Sequence, residues 1–108
     1  MKFFIGLLFC LSGFTTFGQT GIASTPDTLK QLIKAEVSCG QCKFGLPGKG
    51  CSLAVRIKGK AYFVDGTSID EHGDAHAADG FCNAVRHALI QGKVVRKRFK
   101  VTYFKLID

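Results

Sequence analysis

The chain has 108 residues, with 15 Lys and Arg against 8 Asp and Glu, five cysteines and no tryptophan. That length suits one domain with a modest core, excludes a multidomain enzyme, and leaves a place for disulfides or a metal as added support. The net charge of +7 points to an acidic partner or to a solvated basic face.

The first segment reads as an export signal. Lys2 supplies a positive start, residues 3–14 are mostly apolar, and Thr16-Phe17-Gly18 places small residues at −3 and −1 of a cleavage site. The expected signal peptide is 1–18, leaving a mature chain from Gln19 in the periplasm or outside the cell, without Cys10. The apolar run falls short of the roughly 20 residues of a membrane span, so no transmembrane anchor is expected in the mature chain. Residues 19–30, polar with one proline, read as a flexible lead-in to a single domain over 31–108.

Ile33, Ala35, Val37 and Cys39 alternate with polar residues, which predicts a first strand. The next segment, Cys39-Gly-Gln-Cys-Lys-Phe-Gly-Leu-Pro-Gly-Lys-Gly-Cys51, is too rich in glycine for a helix or a central strand. Cys51, Leu53, Val55 and Ile57 predict a second strand, and residues 61–64 its hairpin partner. Residues 67–79 read as a polar loop. Phe81, Ala84, Val85, Ala88 and Leu89 then fall on one face of a helix, with Asp79 as N-cap and Gly92 just past its end. His87 falls off that face, towards solvent. Residues 93–96 and 99–103 predict two closing strands.

This order gives a mainly β fold with one helix: an OB-like five-stranded small barrel, with the helix between strands three and four. A small α+β sheet is the alternative.

Chemistry-bearing residues fall into two groups. Cys39-x2-Cys42-x8-Cys51 is one, and His72-x3-His76-x5-Cys82 the other. A Cys-x2-Cys pair brings two thiolates near enough for one tetrahedral ion, and Cys51 can return to them across the loop. Four cysteines, or three with a histidine, would complete a closed site, so the candidate ligands are Cys39, Cys42, Cys51, Cys82, His72 and His76, for zinc or copper. Paired as two disulfides, the four cysteines would instead staple a small exported domain, in one of three connectivities. A redox-active Cys39–Cys42 pair is a third reading, disfavoured because no helix is expected to open at that pair. Without metal, His72 and His76 would sit in a hydrogen-bonded polar loop.

Lys93, Arg96, Lys97, Arg98 and Lys100 form a basic patch on the closing strands. It reads as a solvated edge or as a surface for an acidic ligand or an envelope partner. No nucleic acid is expected, since no aromatic-rich motif interleaves with the charges.

The segments 39–51, Tyr-Phe-Val-Asp-Gly (62–66), His-Gly-Asp-Ala-His (72–76) and Asp-Gly-Phe-Cys (79–82) resemble an uncharacterised family of small exported bacterial proteins. The resemblance covers most of residues 35–106. It implies a Gram-negative envelope setting and no established activity.

Overall fold

A computed structural model describes residues 22–108; the expected signal peptide lies outside them. Five strands form a closed barrel: β1 (Ile33–Cys39), β2 (Leu53–Ile57), β3 (Lys60–Asp65), β4 (Arg86–Val95) and β5 (Arg98–Leu106). Around the barrel the order is β1-β2-β3-β5-β4. Neighbours are antiparallel except β3 and β5, which meet in parallel at Val64–Phe99 and Asp65–Lys100. Closure leaves no free edge around the sheet.

Period-two alternation decides what faces inward. Ala35, Val37 and Cys39 of β1, Leu53 and Val55 of β2, Ala88 and Ile90 of β4, and Phe99 and Val101 of β5 are all buried. The irregular connection 66–85 sends Ile69, Ala75 and Phe81 into the same core. Among the described residues no helix is long and apolar enough to cross a membrane.

The helix expected over 81–89 is absent. Residues 79–83 are turns, and Arg86 begins the ten-residue β4. The sequence there fits both periods, because Ala88 and Ile90 also alternate with outward residues. As a strand, β4 pairs with β1 on one side and β5 on the other. Backbone bonds on both edges outweigh the weak preference of a short helix whose nucleus is costly. Gly92 is therefore no helix cap. It sits at a register shift in β4, where an added Cβ would collide with the Lys100 carbonyl oxygen. The closing strands accordingly begin earlier or run longer than the alternation alone suggests.

The one helix among the described residues lies elsewhere. It is a single turn, α1 (Gly40–Lys43), between β1 and β2. Glycine crowding was expected to forbid a helix from Cys39 to Cys51, yet the other glycines of this segment, at positions 45, 48 and 50, all follow the turn. An added Cβ at Gly40 would lie 2.7 Å from Phe63 and 3.0 Å from Leu46, so a larger residue would push the turn off the barrel.

The lead-in residues that are described lie against β4 and β5. The Ala23 amide donates to the Thr102 carbonyl at 2.9 Å. Buried Gln91 accepts from the Asp27 amide at 2.8 Å and donates to the Asp27 and Lys30 carbonyls.

The β4–β5 turn carries Arg96 and Lys97 at φ of 54° and 67°. Both are in the left-handed region, where a side chain costs roughly 1–2 kcal/mol relative to glycine's freedom. Lys97→Gly should therefore raise stability by about 0.5–1 kcal/mol after the glycine's extra unfolded-state entropy is deducted. Differential scanning calorimetry would read a rise of a few degrees.

Candidate metal centre

The centre is assembled where β1 ends. Cys39, the last residue of β1, is fully buried and caps α1, its sulfur accepting the Cys42 amide at 3.2 Å. One helical turn then carries Cys42 to the surface. Cys51 is exposed and stands two residues before β2, not within it as the alternation implied. Cys82, half-buried, follows Phe81, whose side chain is 1 % exposed in the core.

Backbone bonds fix these pieces together. The Cys39 amide donates to the Phe81 carbonyl at 3.0 Å, and the Gly40 amide to the Ser52 carbonyl at 2.8 Å. Ser38, fully buried, donates its hydroxyl to the carbonyls of Phe81 and Ala84 at 2.7 and 2.8 Å. Gln41 closes the loop: its carbonyl oxygen accepts the Ser52 amide at 2.9 Å, and its amide group reaches the Ser52 hydroxyl. Neither Ser38 nor Gln41 stood out in the sequence. Gln41's only signal was its place between two cysteines.

The four sulfurs lie within 4.8 Å of one another. Cys42 and Cys51 are 3.6 Å apart, and Cys51 and Cys82 3.4 Å. The four thiols are free. An ion with metal–sulfur bonds of about 2.3 Å places tetrahedral ligands about 3.8 Å apart, so the cluster has the size for one ion.

The thiols differ in electrostatics. Burial opposes ionisation of Cys39, but hydrogen bonds from the Cys42 thiol and amide, the Cys51 thiol and the Ser52 amide outweigh it and hold its pKa below the ordinary thiol value. Cys42 is pushed well up, first by its hydrogen bond to Cys39 and then by desolvation. Cys82 is pushed up to about 11 by burial and by Cys51. A tight cluster of thiols resists gathering negative charge unless a cation is present.

A helical turn does open at the Cys39–Cys42 pair, contrary to the expectation. Cys39, which caps that turn, is nevertheless fully buried, and the exposed Cys42 stands at the turn's far end. A nucleophile needs the low value at an accessible sulfur, so the arrangement does not favour a redox pair.

The histidines stand apart from the sulfur cluster. His72 bonds through Nε2 to the Thr67 hydroxyl at 2.8 Å and lies against Phe104, ring centroids 4.3 Å apart. His76 is exposed, its amide held by Asp74 at 2.9 Å. His87 pairs with the Asp108 carboxylate at 2.9 Å rather than standing free in solvent.

Burial lowers the pKa of His72, with Glu71 opposing more weakly. The folded chain thus disfavours the imidazolium, and the unfolded chain binds more protons once pH falls below the ordinary value of about 6.5. The His72 contribution is complete above that value and declines as pH drops through it towards the lower folded value. Urea unfolding of metal-free protein should show a lower midpoint at pH 5.5 than at 7.5, and His72→Gln should narrow the gap.

The basic patch lies on the β4–β5 hairpin. Lys93 and Lys100 face each other across the ladder, and Arg96 and Lys97 form the turn. Arg98 pairs with Asp65 at 2.8 Å. All five side chains are exposed.

A model for a family of unknown function, DUF6370, matches residues 33–107, and the chain belongs to that family. Neither a curated protein nor a solved structure matches it.

Proposed function

We propose that this DUF6370 member is an exported metal-binding barrel in which Cys39, Cys42, Cys51 and Cys82 hold one thiophilic ion, zinc ahead of copper. One observation carries the reading: four thiols from three chain segments converge within 4.8 Å. A four-sulfur tetrahedral set suits zinc, and a site with no open position is structural rather than catalytic. The ion would fasten the end of β1, the 44–52 loop and the 80–82 turn to one end of the barrel. The cation also resolves the resistance of Cys42 and Cys82 to ionisation, since a coordinating thiol is deprotonated by the ion itself. The chain's start supports export: Lys2, the apolar run to Phe14 and the small residues before Gln19.

A disulfide-stapled barrel is the second reading, favoured by the 3.4 Å approach of Cys51 and Cys82 and by an oxidising compartment. Elemental analysis together with intact mass after alkylation distinguishes the two. The metal reading expects one ion per chain and four alkylatable cysteines once the protein is denatured in chelator without reductant. Protein free of metal and carrying two bridges would refute it.

A further inference from the structure

Away from the cysteines, a cleft of about 530 Å³ opens between the β1–β2 loop, β3 and the β4–β5 hairpin. Leu46, Pro47, Ala61, Tyr62, Phe63 and Val94 supply its apolar lining. Its size falls in the range that encloses a small organic ligand. Val94 is 48 % exposed, so the cleft presents apolar surface to solvent at a place where the fold does not require it.

The polar groups of the cleft are all of one sign. Lys60 and Lys97 line it, and no carboxylate does. Among the described residues the ion pairs are Arg56–Glu36, His87–Asp108 and Arg98–Asp65. Neither cleft lysine is neutralised in this way. Lys60 is instead held with its ammonium 5.5 Å from the centre of the Tyr62 ring. Lys97 projects from a turn position that favours glycine. An apolar lining that carries two lysines, with the Arg98 guanidinium 5.5 Å from the centre of the Phe63 ring, is complementary to an anionic head on an apolar body.

We infer that the cleft bounded by Leu46, Tyr62, Phe63, Lys60 and Lys97 binds a small amphiphilic anion: a carboxylate, sulfonate or phosphate attached to an aromatic or acyl body. The acidic head is drawn to Lys60 and Lys97, and the body lies against the apolar lining that Leu46, Phe63 and Val94 supply. The cleft does not require the ion, because the Leu46 amide donates to the Gly40 carbonyl at 3.0 Å and Gln41 holds Ser52 without the thiols.

The test uses the whole mature protein and the fluorescent sulfonate 8-anilinonaphthalene-1-sulfonate. Saturable binding at one probe per chain is expected, with displacement by decanoate and not by decylammonium or inorganic phosphate. Lys60→Gln and Lys97→Gly should each weaken binding about 3–10-fold, the weight of one charged contact. Lys97→Gly is informative because it relaxes the turn, so lost binding cannot be loss of fold. Lys105→Gln on the opposite end of β5 should leave binding unchanged. Absence of saturable binding would overturn the inference. So would equal displacement by decylammonium, which marks non-selective apolar adhesion, or displacement by inorganic phosphate alone. Binding unaffected by both lysine variants would place the probe elsewhere and overturn it as well. Protein that is purified without metal, carries two bridges and still binds the probe would leave the cleft standing and count against the metal centre alone.

Discussion

With an ion held by the four cysteines as proposed, excess chelator will lower the thermal midpoint by roughly 15–30 °C, while a mild reductant will move it little. An ion bound only by the folded chain stabilises it by about 4 kcal/mol when free metal exceeds the dissociation constant a thousandfold. Each kcal/mol moves the midpoint of a domain this small by about 4–8 °C. The barrel keeps a core of its own, with Val37, Val55, Ile90 and Phe81 essentially inaccessible. The stripped protein is therefore expected to be weakened rather than unfolded outright, unlike a zinc finger that has no fold without metal. If the cysteines were bridged, the pattern would invert. Reductant would remove about 2–5 kcal/mol per bridge and chelator nothing. Calorimetry with each reagent, and readdition of zinc or of copper, reads both the sign and the preferred ion.

Phe81→Ala will cost about 3–5 kcal/mol, the usual range for a large buried aromatic, and will weaken metal retention with it. The side chain is 1 % exposed and belongs to the barrel core. Its carbonyl holds both the Cys39 amide and the Ser38 hydroxyl. Phe81 therefore anchors the turn that presents Cys82. Losing the ring leaves a cavity and frees that turn, so two losses should appear together. Against a total of about 5–15 kcal/mol for a domain, this is enough to populate the unfolded state visibly. Phe81→Leu fills most of the volume and should cost about 1 kcal/mol. Urea denaturation gives the first loss, and competition with a chromophoric chelator gives the second. A variant that lost stability but kept its metal affinity would separate the core role of Phe81 from its role in holding Cys82.

The alternation in β1 and β2 was legible because their core-facing positions, Ala35, Val37, Leu53 and Val55, are apolar, even though Ser38 and Ala54 on the other face are covered too. Each misplaced residue would turn the whole strand inside out. For the same reason, the barrel class could be read from the order of these patterned segments. The nearness of the cysteines was partly legible too. Cys39 and Cys42 share one turn, and Cys51 ends the loop that leaves it.

The segment from Phe81 to Leu89 shows where sequence runs out. Its spacing satisfies a helix as well as it satisfies β4, and a local pattern cannot register that β1 and β5 each lack a neighbour. Only barrel closure supplies that information, through two ladders of backbone hydrogen bonds. The same holds for Cys82. It lies 31 residues beyond Cys51 in the chain and 3.4 Å from it in space, because Phe81 is drawn into the core and its carbonyl bonds the end of β1. His72, next to Cys82 in the sequence grouping, is turned to Thr67 and Phe104 instead, and neither it nor His76 belongs to the four-sulfur group. Composition and periodicity determined a small barrel with clustered thiols and a basic hairpin. Which groups actually meet was decided by long-range pairing and core burial, whose energies depend on partners far along the chain.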